Sequence, residues 1–148
     1  MKIAILTGGG DAPGLNPVIR SVVKVAKENQ VEMIGIKKGW AGLVELNHFP
    51  LEWKDVKNLH SEGGTFLLSS RTNPVKMENG IKTVAENLKQ IADGLIAMGG
   101  EDTLGVANEL YKNGVKVIGV PKTIDNDIFS TDYTICLLYT SQRPRDRG

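Results

Sequence analysis

Several features that mark particular classes of protein are scarce in this sequence. Its 148 residues include a single cysteine, Cys136, which excludes an internal disulfide and a cysteine-rich zinc site. Basic and acidic residues nearly balance, with 18 Lys and Arg against 17 Asp and Glu. Because neither sign dominates, the charge gives no indication of nucleic acid or an acidic membrane surface as a partner. We therefore predict that the protein binds neither.

Long apolar runs are also missing. No run approaches the roughly 18 apolar residues that a membrane-spanning helix needs. The N-terminal stretch "MKIAIL" has only four apolar residues after its lysine, too few for the apolar core of a signal peptide. The composition, 41% apolar and 24% charged, is typical of a soluble globular chain, and the length suits one domain. These observations favour a reduced, cytoplasmic protein.

Short apolar runs alternate with segments of helical period. The runs at 2–6, 31–36, 94–98 and 116–120 are almost continuously apolar, as buried parallel strands are. Pro17 suits the first turn of a helix after the first strand, and Gly114 suits a helix end. Three apolar stripes at helical spacing lie between or beside these runs. They are Val18, Ile19, Val22, Val25 and Ala26; Ile81, Val84, Ala85, Leu88, Ile91 and Ala92; and Leu104, Ala107, Leu110 and Tyr111.

The alternation predicts an α/β fold: a doubly wound, mostly parallel sheet with helices on both faces. In such sheets ligands bind beyond the carboxyl ends of the strands, so the loops there are expected to carry the chemistry. The segment 37–78 is less regular, and we expect loops or short elements that line a site.

Two of the loops are rich in glycine. "LTGGGDAPGLNP" follows the first strand, and its backbone amides could face an anion near a helix N-terminus. Its glycines match neither the dinucleotide fingerprint nor the P-loop, and a simple tight turn explains them equally well. "GGTFLLSSRTNP" contains Arg71, which could bridge phosphate oxygens by paired hydrogen bonds. A solvated surface arginine is the equal alternative.

The other two loops are acidic. "GGEDT" at 99–103 follows the third predicted strand and opens a helix, where acids also serve as ordinary first-turn residues. "PKTIDND" at 121–127 follows the fourth strand, and Asn and Asp are common in turns. Four polar loops at or beside successive strand ends, taken together, favour a site over four unrelated turns.

These four stretches, in this order and spacing, closely resemble the N-terminal half of 6-phosphofructokinases, from residue 2 to about Ile135. The resemblance implies phosphoryl transfer to the 1-hydroxyl of fructose 6-phosphate, giving fructose 1,6-bisphosphate, with Mg²⁺ as cofactor. It implies donor binding by 1–135 and, in the complete protein, a homodimer or homotetramer. The remaining residues, "CLLYTSQRPRDRG" at 136–148, depart from the family. We expect them to be a disordered or artefactual tail.

The resemblance also assigns roles to residues of the loops. Asp125 is implied to be the base that accepts the proton of the sugar hydroxyl as it attacks phosphorus. Arg71 and Lys122 are implied to stabilise charge on the transferred group and the donor. Glu101 is implied to hold Mg²⁺. Donor-binding residues are implied to be Gly10, Arg71, Thr72, Gly100, Glu101, Asp102 and Thr103, and substrate-binding residues Thr123, Ile124, Asp125 and Asp127.

The donor implied by the resemblance is pyrophosphate, because Asp102 and Lys122 are the pair typical of pyrophosphate-dependent members. ATP-dependent members typically have glycine at both positions. A carboxylate about 4 Å from the α-phosphate of ATP would cost about 4 kcal/mol at an effective dielectric near 20, roughly a thousandfold in affinity. Pyrophosphate has no α-phosphate and avoids this repulsion. An ATP-dependent enzyme remains the nearest alternative.

Two further readings are open. A lipid or NAD kinase uses a similar glycine and acid loop but lacks the "PKTIDND" stretch. A phosphate- or nucleotide-binding module without turnover is the non-enzymatic reading. The family's second half carries groups that clamp the sugar phosphate, so we expect the chain alone to be inactive.

Overall fold

The computed structural model describes residues 1–8, 15–57, 66–68, 70 and 72–121. Within these ranges lie strands β1 (Lys2–Thr7), β2 (Glu32–Ile36), β3 (His48–Leu51), β4 (Gly94–Gly99) and β5 (Val117–Pro121). The α-helices there are α1 (Leu15–Glu28), α2 (Gly39–Glu45), α3 (Trp53–Val56), α4 (Gly80–Ile91) and α5 (Glu101–Lys112), and a single 3₁₀ turn spans Pro74–Lys76. None of these described helices is both long and apolar enough to cross a membrane.

The strands form one sheet in the order β3-β2-β1-β4-β5. β1 is parallel to β2 and β4, and β4 is parallel to β5, whereas β3 runs antiparallel along β2. All four strands predicted from the sequence are present, with bounds that differ by one residue. The predicted mostly parallel α/β sheet is therefore confirmed, and β3 is an addition at its edge.

Apolar cores cover both faces of the sheet. Side chains alternate along β1, so that Ala4 and Leu6 face one core and Ile5 faces the other. The first core is completed by α2, α4 and α5, and the second by α1 and α3. This two-sided burial explains why the strands are almost continuously apolar.

The predicted stripes of α1 and α5 are wrong at one position each. Val25 is 56% exposed and Tyr111 is 68% exposed. A residue adjacent in sequence lies about 100° around a helix, so each side chain turns away from a buried neighbour, Ala26 or Leu110. The buried stripe of α5 instead follows Thr103, Val106, Ala107 and Leu110.

The irregular segment 37–78 contains short elements, as predicted. α2 has seven residues and β3 has four. Gly39 begins α2 with a φ of +57°, in the left-handed region. A Cβ there would lie 2.8 Å from the carbonyl oxygen of Thr7, so glycine lets the turn after β2 approach the end of β1.

Candidate active site

The carboxyl ends of β1 and β4 meet in the middle of the sheet. The chain leaves β1 toward β2 on one side, whereas β4 pairs with the other side of β1 and leads on to β5. Ligands of open α/β sheets bind in the crevice where successive connections diverge in this way. The amide of Gly8 donates to the carbonyl oxygen of Met98 at 2.8 Å. The turns that follow β1 and β4 therefore begin side by side.

Both turns enclose one side chain of α5. A Cβ on Gly8 would overlap Thr103 Oγ1, and a Cβ on Gly99 would lie 2.6 Å from Thr103 Cβ. Thr103 is 4% exposed, so its side chain fills the seam between the two strand ends. Glycine at both positions is a packing requirement, because neither could gain a methyl group unless Thr103 moved.

The first turn of α5 follows immediately. Gly100 is the N-cap residue, and its carbonyl accepts the first helical hydrogen bond from the amide of Leu104 at 3.0 Å. The amides of Glu101, Asp102 and Thr103 precede that bond, so the helix itself provides no acceptor for them. Such a helix start attracts anions, since free amides and the positive end of the helix dipole coincide there.

Glu101 and Asp102 are both exposed in this first turn. Acids here interact favourably with the helix dipole, by about 0.3–1 kcal/mol each, whether or not a ligand binds. Among the residues that the structure describes, neither carboxylate takes part in an ion pair. Their charges are therefore free to act on a ligand at the end of the sheet.

The segment 66–68 is tied to the same edge of the sheet. Thr7, fully buried at the end of β1, donates its hydroxyl to the carbonyl oxygen of Leu68 at 2.8 Å. The amide of Phe66 donates to Asn16 Oδ1 in α1, also at 2.8 Å. The strand and the helix that flank the first glycine loop thus both hold this segment.

A third hydrogen bond and one buried side chain complete the attachment. The amide of Lys38 donates to the carbonyl oxygen of Leu67 at 2.9 Å, and the Leu67 side chain is fully buried. A Cβ on Gly39 would lie 3.6 Å from the amide nitrogen of Ser70 and 3.8 Å from Gly8 Cα. Ser70 therefore lies beside the start of the glycine turn.

Thr72 is half-buried and precedes a short capped element. Asn73 Oδ1 accepts a hydrogen bond from the amide of Val75 at 2.9 Å, which caps the 3₁₀ turn Pro74–Lys76. That turn packs against α4 and α5. The 3₁₀ turn that follows Thr72 and Asn73 is thus packed against α5, the helix that starts at the site.

The structure brings Gly100, Glu101, Asp102 and Thr103 together with the end of β1. Pro121, the last residue of β5, stands in register with Gly99. The predicted "PKTIDND" loop therefore starts beside the predicted "GGEDT" loop. The other predicted site residues lie outside the described residues. They are Gly10, Arg71, Lys122, Thr123, Ile124, Asp125 and Asp127.

The described carboxylates are compatible with Mg²⁺ but form no cage for it. In the described part of the chain, no group of three or more His, Cys, Asp or Glu side chains could hold a metal ion. Mg²⁺ normally keeps several waters and binds through one or two carboxylates together with substrate phosphates. The exposed Glu101 carboxylate, at a helix start suited to phosphate, offers an oxygen ligand of that kind.

Among the described residues, two buried side-chain polar atoms have no hydrogen-bond partner. They are the indole nitrogen of Trp40, directly after Gly39, and the hydroxyl oxygen of Ser70. Trp40 is 3% exposed and packs in the core beneath α2 and α4. A buried polar group without a partner costs about 1–3 kcal/mol, so both atoms are weak points of the fold near the site.

An open cleft of about 480 Å³ lies elsewhere, between α1, α3 and the amino end of β2. Its lining includes apolar Val23, Met33, Leu51 and Trp53, and also Lys27. None of the predicted site residues that the structure describes lines it. The chemistry expected from the sequence belongs to the carboxyl edge of the sheet, so cleft size alone does not locate the site.

Sequence reasoning missed Thr7, Asn16 and Gly39 as residues that organise the site. Thr7 could have been found, because it is the one polar residue at the end of an apolar strand. The contacts of Asn16 and Gly39 join parts of the chain that are 50 and about 30 residues apart. No local pattern indicates such contacts.

Known proteins are similar to this chain in sequence and in fold. A family model described as "Phosphofructokinase" matches residues 2–138. The pyrophosphate–fructose 6-phosphate 1-phosphotransferase of Dictyoglomus thermophilum is 53% identical over 136 residues, which cover 91% of this chain and 39% of that protein. The ATP-dependent 6-phosphofructokinase of Streptococcus mutans is 44% identical over 135 residues, covering 90% and 40%. The chain thus spans about two fifths of the length of these relatives.

A solved structure supports the same relationship. The crystal structure of Pichia pastoris phosphofructokinase in the T-state superposes with a TM-score of 0.76 at 31% sequence identity. The match covers 90% of this chain and 16% of that chain.

Proposed function

Because the chain belongs to the phosphofructokinase family, we propose that it forms the donor-binding part of an enzyme that phosphorylates the 1-hydroxyl of fructose 6-phosphate. The observation that carries the proposal is the meeting of a glycine turn and a helix start at the divergence of the sheet. Gly8 and α5 come together there through Thr103. Free amides and small residues at such a point suit the phosphates of a donor.

Within this proposal, different residues bind the phosphates of the donor, the magnesium ion and the sugar. The amides at the start of α5 and the Gly10 turn bind phosphate oxygens, helped by Arg71 and Thr72. Glu101 holds Mg²⁺, which neutralises phosphate charge when bound. Asp125 takes the proton of the sugar hydroxyl, and Thr123, Ile124 and Asp127 position the sugar phosphate.

We further propose that the donor is pyrophosphate. Asp102 is exposed at the second position of α5, within the first turn that we propose binds the donor. Pro121 is in register with Gly99, and Lys122 is the next residue of the sequence; we propose that its charge binds the oxygens of pyrophosphate. The higher identity to the D. thermophilum pyrophosphate enzyme, 53% against 44% for the S. mutans ATP enzyme, also supports this donor.

The donor is tested by removing the two charges. Residues 1–138 would be joined to the remaining part of the D. thermophilum relative, and steady-state kinetics measured with each donor. Asp102→Gly with Lys122→Gly is expected to raise kcat/KM for ATP by at least about 10-fold and to lower it for pyrophosphate. Asp102→Asn is the control that removes the charge and keeps the size. No gain with ATP in either variant would contradict the assignment.

The 148-residue chain itself is proposed to bind the donor without turnover, because it spans about two fifths of its relatives. We propose that the complete enzyme works in the cytoplasm as a homodimer or homotetramer. A coupled assay that detects fructose 1,6-bisphosphate made by the 148-residue chain alone would contradict the first of these statements. An ATP-dependent reaction remains the second candidate, favoured by the S. mutans relative.

A further inference from the structure

We propose that Thr103 is a positioning residue, whose side chain sets the spacing between the glycine turn after β1 and the start of α5. The inference rests on the proposed function, because the spacing matters most if both elements grip one phosphoryl donor. In this proposal the Thr103 side chain packs between the two elements, and the Thr103 amide contacts the donor.

The geometry separates the side chain from the amide. Thr103 is the third residue of α5, so its amide belongs to the free set at the helix start. Its side chain points the other way, into the stripe that continues with Val106, Ala107 and Leu110. With only 4% of the residue exposed, the hydroxyl and methyl are enclosed between the two strands.

Thr103 is tightly packed against both Gly8 of the β1 turn and Gly99 of β4, but the two contacts involve different atoms of its side chain. A Cβ on Gly8 would overlap Thr103 Oγ1 but would lie 3.2 Å from both Thr103 Cβ and Cγ2. A Cβ on Gly99 would lie 2.6 Å from Thr103 Cβ and Oγ1 and 2.8 Å from Cγ2. The β1 side therefore conflicts mainly with the hydroxyl, whereas the β4 side conflicts with the stem of the side chain.

The tight contact between Gly8 and Thr103 matters because close-packed groups do not compress. An extra methyl group on Gly8 presses on the Thr103 side chain, and we expect α5 or the glycine turn to shift with it, since close-packed interiors have little free volume to absorb a methyl group. Either displacement moves the amides of Glu101 and Asp102 relative to the turn. A shift of about 1 Å in groups that position a reactant is enough to cost about 100-fold in rate.

The unequal contacts provide a rescue experiment. Thr103→Ala removes the hydroxyl and the γ-methyl group and leaves Thr103 Cβ 3.2 Å from the added Cβ, so it should make room for Gly8→Ala. The same change leaves Thr103 Cβ 2.6 Å from a Cβ on Gly99, so it should not make room for Gly99→Ala. Gly105→Ala is the matched control, because that glycine lies on α5 with nothing within 4 Å of its added Cβ.

The variants are compared on the 148-residue chain by two measurements. Amide shifts of Glu101 and Asp102 in ¹H–¹⁵N spectra report the position of the helix start without any ligand. Calorimetric titration with magnesium pyrophosphate reports donor affinity, with urea unfolding alongside to record stability. We expect Gly8→Ala to move both amides and to weaken binding at least about 10-fold, and Thr103→Ala to reverse most of both effects, since contacting residues couple strongly.

Thr103→Val provides a variant that is independent of glycine substitution. It keeps the branched shape and removes the hydroxyl, so it should weaken pyrophosphate binding less than Thr103→Ala does. If the Val and Ala variants lose affinity equally and the amides stay in place, the hydroxyl binds the donor and the proposal is wrong. Equal rescue of Gly8→Ala and Gly99→Ala, or rescue of neither, would also overturn it.

Failure of the proposed function gives a different result. If the unaltered chain binds no pyrophosphate, the function is contradicted, whereas the amide shifts still test whether Thr103 sets the spacing. If the unaltered chain binds pyrophosphate and the shifts show no coupling, only the role of Thr103 falls.

Discussion

Replacing Thr7 with valine tests how the strand end holds the loop beside it. The hydroxyl of Thr7 is fully buried and donates to the carbonyl oxygen of Leu68 at 2.8 Å. Valine has nearly the same shape but cannot donate, so the packing of β1 is kept and one hydrogen bond between residues 61 positions apart is lost.

The size of the effect follows from the fate of the Leu68 carbonyl. A typical hydrogen bond contributes about 0.5–1.5 kcal/mol net, and a buried group left without a partner costs about 1–3 kcal/mol. Leu68 is 46% exposed, so water can replace part of the lost bond. We therefore expect a loss of about 1–1.5 kcal/mol in the free energy of unfolding, or a fall of roughly 3–5 °C in Tm.

Urea unfolding of the 148-residue chain measures the global loss, and amide exchange locates it. The amide of Phe66 donates to Asn16, and the amide of Lys38 donates to the carbonyl oxygen of Leu67. Both hydrogen bonds hold the segment that contains Leu68, so both amides should exchange faster in the variant. Thr7→Ser is the control, because it keeps the donor; loss of the buried methyl group costs about 0.8 kcal/mol by itself, so the comparison rests on the exchange of these two amides. Stability unchanged in Thr7→Val, or equally fast exchange of these two amides in Thr7→Ser, would refute the anchoring role of the hydroxyl.

Two exposed helix ends give predictions of opposite sign. Gln30 follows α1 with a φ of 60°. A side chain in this left-handed region costs about 1–2 kcal/mol, which glycine avoids, although glycine loses more backbone entropy on folding. Gln30→Gly should therefore stabilise the chain by about 0.5–1 kcal/mol. Gly114 ends α5 with a φ of +89° and open space around its Cβ position, so Gly114→Ala should destabilise by about 1 kcal/mol through backbone strain alone. The urea midpoints of unfolding measure both changes in stability. Midpoints that shift in the same direction would contradict the argument that a positive φ favours glycine at both positions.

The sheet was predictable because its strands are covered on both faces. Strands such as β1 and β4 are almost wholly apolar, and that pattern needs no knowledge of their partners. β3 was not predictable in the same way: it is a four-residue edge strand, "HFPL", with only its last residue buried. Short edge strands carry little of the periodicity on which such predictions depend.

The helix faces were predicted less well than the helices themselves. In α5 the sequence suggested a stripe that starts at Leu104, whereas the buried stripe starts one residue earlier, at Thr103. The spacing Thr103, Val106, Ala107, Leu110 also fits a helical face, but it begins with a polar residue, which a pattern of apolar residues does not include. That single shift explains both the exposure of Tyr111 and the unexpected burial of Thr103.

The candidate site, like the helices, was predicted only in part from the sequence. The sequence predicted that "GGEDT" follows a strand and opens a helix, and this prediction is confirmed by β4 and α5. The roles assigned to Asp125, Lys122 and Arg71 stay predictions, since those residues lie outside the described ranges. Close approaches such as Gly8 to Thr103 depend on two distant loops meeting, which local patterns do not encode.

Titration of the ¹⁵N-labelled 148-residue chain with magnesium pyrophosphate tests the central claim most directly. If the carboxyl edge of β1 and β4 binds the phosphoryl donor, the amides of Gly8, Glu101, Asp102 and Thr103 shift together and saturably. Magnesium alone and magnesium ATP should produce much smaller shifts there. No saturable shift at these amides, or shifts confined to the distant cleft around Trp53, would contradict the account.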